Sequence, residues 1–333
     1  MNNTLTTRNL AIGYESRKGS ATLHQNLHLT LGAGEMSCIL GPNGAGKSTL
    51  IKTLAGFMHP IDGEIFIMGK EHKARSFKKL SRLLSVVLTE RIRIPHLRVI
   101  DVVRTGRYPY TSLMASFSEG DHEKVQEAIE KVGIGGMAFR FMDELSDGEK
   151  QKVMIAKALA QDTPVIILDE PTAFLDFPSK IEVMQILMCL TRETGKSVLL
   201  STHDVELALQ VADKIWLMDR GKNLQTGCPE DLVLNNELNR FFERDYIYFD
   251  EYTGTFLMKN RSQRSIGVNG SQPFRHWLAK ALYRIGYNVE HSENVFPQIQ
   301  IQGKNDILLI SSDNQKMQFT SIDALVSHLK KNQ

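Results

Sequence analysis

Gly41-Pro42-Asn43-Gly44-Ala45-Gly46-Lys47-Ser48-Thr49 is the stretch whose reading decides the fold of this chain. The run before it, Glu35-Met36-Ser37-Cys38-Ile39-Leu40, reads as a short buried strand, and residues 46–55 read as the helix after it. Glycines let backbone N–H groups curl around a β-phosphate with no Cβ in the way. The following helix turns its positive N-terminal end to the same anion. Lys47 supplies a point charge for β- and γ-phosphates, and Ser48 supplies a hydroxyl for Mg²⁺. A glycine-rich turn that merely precedes a helix is the bland alternative. The complete pattern, set after a strand and opening a helix, weighs against it.

Val165-Ile166-Ile167-Leu168-Asp169-Glu170 supplies the other half of such a site. An apolar strand that ends in two adjacent carboxylates is costly to bury unless they serve a cation or accept a proton. Asp169 is placed to hold Mg²⁺ through water, and Glu170 to orient and partly deprotonate an attacking water. Strand-like apolar runs recur at 84–88, 165–168, 198–201 and 214–218. Helical patterns alternate with them at 121–132, 148–160, 179–194 and 205–211, which predicts an α/β domain built on a mostly parallel sheet.

Between the phosphate loop and the acidic strand end lies Leu145-Ser146-Asp147-Gly148-Glu149. Ser146 and Glu149 stand in the Ser-x-x-Glu relation of a helix N-terminal capping box. The helix beginning there aims its dipole outward. The pentapeptide also resembles the signature of the ABC ATPases, usually Leu-Ser-Gly-Gly-Gln, with Asp147 and Glu149 as departures that each add a carboxylate. The resemblance covers residues 4–245. It implies a P-loop NTPase of ABC type: a parallel sheet core with an antiparallel β subdomain and a helical subdomain.

Several roles follow from that resemblance alone. The signature end, through Ser146 and Gly148, would face the γ-phosphate of ATP held by a second copy, so a head-to-tail homodimer is required. Asp147 is expected to point away from that nucleotide, since a carboxylate at contact range of a triphosphate is repelled by roughly 1 kcal/mol even in high dielectric. His203, in Ser201-Thr202-His203-Asp204, would reach the γ-phosphate, and Tyr14 would stack on adenine. Phe174-Leu175-Asp176 matches the loop that crosses the dimer interface beside the catalytic water. The family normally carries glutamine after the strand at 84–88, touching Mg²⁺ or the water. Thr89-Glu90 stands there instead, and either the Thr89 hydroxyl or the Glu90 carboxylate would substitute. The implied cofactors are ATP and Mg²⁺.

Residues 99–110, ending Gly106-Arg107-Tyr108-Pro109-Tyr110, are similar to the helical subdomain of importers for iron-siderophores, haem and cobalamin. There a Gly-Arg-x-Pro element helps form the groove for the coupling helices of the membrane subunits. The implied partners are transmembrane permease subunits and, indirectly, a substrate-binding protein. The ATPase subunit does not touch the cargo, so its partners set the substrate. The other class is a soluble ABC ATPase acting on ribosomes or DNA. Those forms carry two cassettes, coiled coils or zinc modules, and this chain shows one cassette without such insertions.

The remaining features bound these readings. At 333 residues the length allows about two domains, and 42% hydrophobic with 23% charged residues places the chain among soluble globular proteins. A formal net charge of +2 gives no argument for a nucleic-acid partner. The scattered Cys38, Cys189 and Cys228 fit a reducing cytoplasm, no signal peptide is visible, and no run reaches about 18 apolar residues. With the permease partners that the resemblance implies, the expected location is the cytoplasmic face of the inner (cell) membrane, peripherally. The basic cluster 70–82 reads as a solvated face in preference to a lipid-binding one.

The expected organisation is an ATP-binding domain at 1–245, a linker at 246–264 where the pattern loses its period, and a small α+β appendage at 265–333. In the appendage, strands are predicted at 265–268, 299–302 and 307–311, with helices at 273–285 and 321–330. At about 70 residues it sits near the size where independent folding becomes marginal. A ligand-sensing or inhibitory module is one reading of it.

Overall fold

The computed structural model describes residues 3–16, 19–72, 77–89, 96–111, 116–251, 253–259, 264–290, 295–303 and 306–332. Two compact units divide the chain, Met1–Phe241 and Phe242–Gln333.

The first unit is built on a six-stranded sheet. Its order is Gln225–Gly227, Lys214–Leu217, Met36–Leu40, Ser197–Thr202, Val165–Asp169 and Leu84–Val87. Every pair is parallel except the Gln225–Gly227 edge. Met36–Leu40, Ser197–Thr202 and Val165–Asp169 are buried along their whole length, which is why they read as continuous apolar runs without alternation. Register places Leu40 opposite Thr202, and Asp169 opposite Ser201. The phosphate loop, the acidic strand end and His203 therefore emerge together at the carboxyl edge, where parallel sheets hold their ligands.

A second, antiparallel sheet runs Gly19–Leu27, Asn3–Ser16, Asp62–Ile67 and Lys70–Glu71, with Thr30–Gly32 also paired to Asn3–Ser16. One core joins the two sheets. Leu5, Leu10 and Ile12 pack with Ile39, Ile167, Leu199 and the fully buried Trp216, and Leu50 and Leu54 of the helix Lys47–Leu54 fill the space between. The helical part comprises Val99–Arg104, a 3₁₀ segment Thr105–Tyr110, Glu119–Val132 and Asp147–Ala160.

The second unit begins earlier than the sequence pattern predicts. Where a linker is expected at 246–264, an antiparallel hairpin pairs Ile247–Asp250 with Thr255–Met258, and Phe256 meets both Phe242 and Phe249 edge to face. Strands this short and only half-buried leave no period to read. Beyond it lies a five-stranded sheet ordered Asn288–Glu290, Ser265–Asn269, Gln298–Gly303, Asp306–Ile310 and Lys316–Phe319. Helices Phe274–Arg284 and Ile322–Lys331 cover a core of Ile266, Val268, Leu278, Leu282, Ile299, Leu325 and neighbours. This is the expected α+β arrangement, with the two edge strands as additions. No helix among the described residues is long and apolar enough to cross a membrane.

Candidate functional site

The strand Met36–Leu40 delivers the chain into the turn 41–46, and the helix Lys47–Leu54 leaves it. The turn needs its glycine at 41 for a specific reason: a Cβ there would lie 2.0 Å from the Met218 carbonyl oxygen. Two side chains from elsewhere hold the loop. His24 Nε2 lies 2.8 Å from the Ala45 carbonyl and, because a carbonyl only accepts, carries the proton. Arg220 Nε donates to the Gly44 carbonyl at 2.6 Å. Lys47 is buried. Its Nζ donates to the Gly41 carbonyl at 2.8 Å and the Pro42 carbonyl at 3.3 Å, and lies 3.7 Å from Glu170 Oε1.

The acidic pair is held by hydroxyls. Asp169 Oδ1 accepts from Ser201 Oγ at 2.7 Å and from Ser48 Oγ at 3.1 Å. The Glu170 N–H donates to the same Ser201 Oγ at 2.9 Å, so one serine ties both residues to the neighbouring strand. Glu170 has φ of 50°, a left-handed conformation that costs energy for a residue with a Cβ and is concentrated at functional sites. Its Oε2 lies 2.6 Å from His203 Nδ1. With the carboxylate ionised, Nδ1 donates and Nε2 is left for another partner. Thr89 Oγ1 donates to the Asp169 carbonyl at 2.7 Å, which puts its hydroxyl at this cluster. Glu90, the alternative substitute for the family's glutamine, lies outside the described residues.

These groups line one cavity of about 780 Å³ that also includes Tyr14, Asn43, Thr49, Phe174 and Arg220. That volume suits a nucleotide-sized ligand. Tyr14 is half-exposed at the mouth, its hydroxyl 2.9 Å from Thr49 Oγ1. Of the residues predicted for the site, the structure brings together Tyr14, Asn43 to Thr49, Thr89, Asp169, Glu170 and His203. His24, Ser201 and Arg220 escape the sequence reading. The strand end Ser201-Thr202-His203 was the signal for Ser201, whereas no local pattern marks His24 or Arg220.

Ser146, Gly148 and Asp176 are not among the residues lining this cavity. Ser146 caps the helix Asp147–Ala160, accepting from Glu149 N at 3.2 Å, while the Glu149 carboxylate accepts from Ser146 N at 2.8 Å. The capping box is therefore present as predicted. The Ser146 N–H bond leads in holding the Glu149 carboxyl below its usual range. Asp147 is exposed. Gly148 is buried against the next helix, where a Cβ would come 2.9 Å from Ser179 Oγ. Asp176 caps Phe177–Thr194 by accepting from Ser179 N at 3.2 Å. Ser179 thus sits beside both Gly148 and the Asp176 cap.

In the helical part, Arg107 is buried with Nε 2.8 Å from Asp121 Oδ1 and an Nη1 bond to the Ala160 carbonyl at 2.8 Å. Its guanidinium also stacks 4.1 Å from the Tyr110 ring centre. The Gly-Arg-x-Pro element thus ties three segments of this region together.

Residues 24–173 match the ABC transporter family, and residues 263–330 match the iron ABC transporter C-terminal domain family. An uncharacterized ABC transporter ATP-binding protein of Methanocaldococcus jannaschii is 39% identical, covering 77% of this chain and 87% of that protein. The ferric enterobactin transport ATP-binding protein of Escherichia coli is 32% identical over 75% of this chain and 91% of its own length. Among solved structures, a dimeric post-hydrolysis ATP-binding cassette bound to ADP and Pi aligns with a TM-score of 0.57 at 26% identity, covering 66% of this chain and 97% of that one.

Proposed function

Because the chain belongs to the ABC transporter ATP-binding family, we propose that it is the ATP-hydrolysing subunit of a membrane importer for an iron chelate. It is an ABC ATPase, and ATP is its nucleotide. One observation carries the rest. The phosphate loop, Asp169, Glu170 and His203 converge on a single cavity, while the capped signature end lines none of it. A signature that does not serve its own nucleotide serves that of a second copy.

In this reading Tyr14 stacks on adenine, and the backbone N–H groups of 43–49 take the β-phosphate. Lys47 exchanges its carbonyl partners for phosphate oxygens. Glu170, oriented by His203 Nδ1 and the Ser201 bond at its own N–H, positions the attacking water and takes its proton. His203 Nε2 faces the γ-phosphate. Ser146 and Gly148 of the second copy close over the same phosphate, and Asp176 stands at that interface.

The donor set fits Mg²⁺, a hard cation that keeps several waters and uses few protein ligands. Ser48 and Asp169 already share a hydrogen bond between hard oxygens, and Thr89 brings a hydroxyl beside them. These residues would hold the ion, which would neutralise charge on the β- and γ-phosphate oxygens.

The iron-chelate assignment draws on the ferric enterobactin relative and on the match of 263–330 to an iron transporter domain. The partners are transmembrane permease subunits at the cytoplasmic face and, through them, a substrate-binding protein. The test is recovery from detergent extracts followed by uptake in reconstituted vesicles. The protein should copurify with a multi-spanning permease, and the complex should import labelled ferric chelates on adding ATP inside. Recovery with ribosomes alone would overturn the transport reading, and uptake of corrinoids but not ferric chelates would overturn the cargo class.

A further inference from the structure

The second unit contains its own cavity, of about 950 Å³, formed by the hairpin Ile247–Asp250 and Thr255–Met258 and the helix Phe274–Arg284. The helix turns Arg275, Lys280 and Arg284 toward it, and none of the three forms an ion pair among the described residues. Asp250 is the one carboxylate among the described lining residues, and it accepts a hydrogen bond from Thr253 Oγ1 at 2.5 Å. Three cationic side chains thus line one cavity with a single carboxylate, Asp250, among the described lining residues.

Two polar atoms here are sealed from solvent without a hydrogen-bond partner, Arg275 Nε and the Tyr283 hydroxyl. Burial, followed by the neighbouring Tyr248, pushes the Tyr283 phenol up, so its hydroxyl remains a donor at neutral pH. Buried donors left unmade are costly and rare in folded proteins, and both of these border the same space. Phe256, Met258 and Val289 provide an apolar wall.

We propose that this cavity binds a small oxyanion carried on an apolar body, a carboxylate or phosphoryl group on an aromatic or branched frame. Arg275 and Arg284 offer planar forks suited to such a group. The apolar wall receives the body of the ligand. Lys280 Nζ now rests 5.0 Å from the Trp277 ring centre, from where it can turn to the anion. No residue of the nucleotide cavity contributes, so the inference stands whatever the transporter carries.

Trp277 gives a local signal. It is exposed beside Lys280, whereas Trp216, the other tryptophan, is fully buried in the first unit. Acrylamide quenching of the full chain therefore reports mainly on Trp277. We would titrate phthalate, phenyl phosphate and neutral benzamide at constant ionic strength. One or both anions should change the quenching saturably, benzamide should not, and the anion that responds identifies the ligand class. Arg284→Gln and Lys280→Gln, both at exposed positions, should each weaken binding about tenfold while ATP turnover without the anion is unchanged. Arg275→Gln should do the same, with circular dichroism checking its fold. No saturation by either anion, an equal response to benzamide, or saturable binding that survives Arg284→Gln and Lys280→Gln undiminished would overturn the proposal.

Discussion

Ser201 shows how much of this site rests on residues to which the sequence reading gives no role. Its hydroxyl donates to Asp169 Oδ1 and accepts from the Glu170 N–H, so one oxygen holds the Asp169 carboxylate and the Glu170 backbone together. Ser201→Ala should remove about 1 kcal/mol of stability through the lost bonds. ATP turnover should fall about tenfold, because Glu170, the proposed base, loses its alignment with water. Steady-state ATPase assays with a parallel urea melt check this, and unchanged turnover would show that the two residues hold themselves. Asp169, Glu170, Lys47 and Ser48 are legible in the sequence because each belongs to a contiguous pattern with a chemical reason. His24 and Arg220 are not, since they reach the phosphate loop only after the chain has folded through two sheets. The misreading at 246–264 has the same root: a hairpin held by Phe242, Phe249 and Phe256 has no internal period to announce it.

Among the elements, the helical part turns on one buried ion pair. Burial of Asp121 opposes its ionisation, but hydrogen bonds from the Ser118 hydroxyl and N–H, with the Arg107 guanidinium, outweigh it and bring its pKa down to about 2. A carboxylate with a depressed folded-state pKa stabilises fully above its unfolded value, near 4, and loses that contribution as pH falls through about 2. The contribution is about 2 kcal/mol. Asp121→Asn keeps the shape and removes the charge. Its urea midpoint should be lower than wild type at pH 7, and the gap should narrow between about pH 4 and pH 2. A constant gap across that window would remove the ion pair from the account of stability. The helices themselves are legible to within two residues, because Ser118, Ser146 and Asp176 cap them where the pattern begins. What the pattern misses is why Gly106-Arg107 is there: Arg107 bonds residues 14 and 53 positions away.

For the whole molecule, the decisive relation is between two surfaces that do not meet within one chain. Glu170 faces its own nucleotide cavity, whereas Ser146 and Gly148 form a rigid, capped helix end outside it. In the proposed head-to-tail dimer these surfaces meet across the interface, each ATP clasped by the loop of one copy and the signature of the other. Glu170→Gln retains the side-chain shape but cannot take a proton, so turnover should fall by at least about a hundredfold while ATP still binds. Bound and unhydrolysed, ATP should then hold the dimer, visible as a larger species in sedimentation velocity that disappears without nucleotide. Adding Ser146→Arg to the same chain separates the two surfaces. The double variant should still bind ATP, because Ser146 lines no part of its own cavity, but it should sediment as a monomer. Loss of the cap costs only about 1 kcal/mol, and circular dichroism checks that the helix survives. A double variant that dimerises as well as Glu170→Gln alone would place the contact elsewhere, and one that loses ATP binding would make the signature a partner of its own nucleotide.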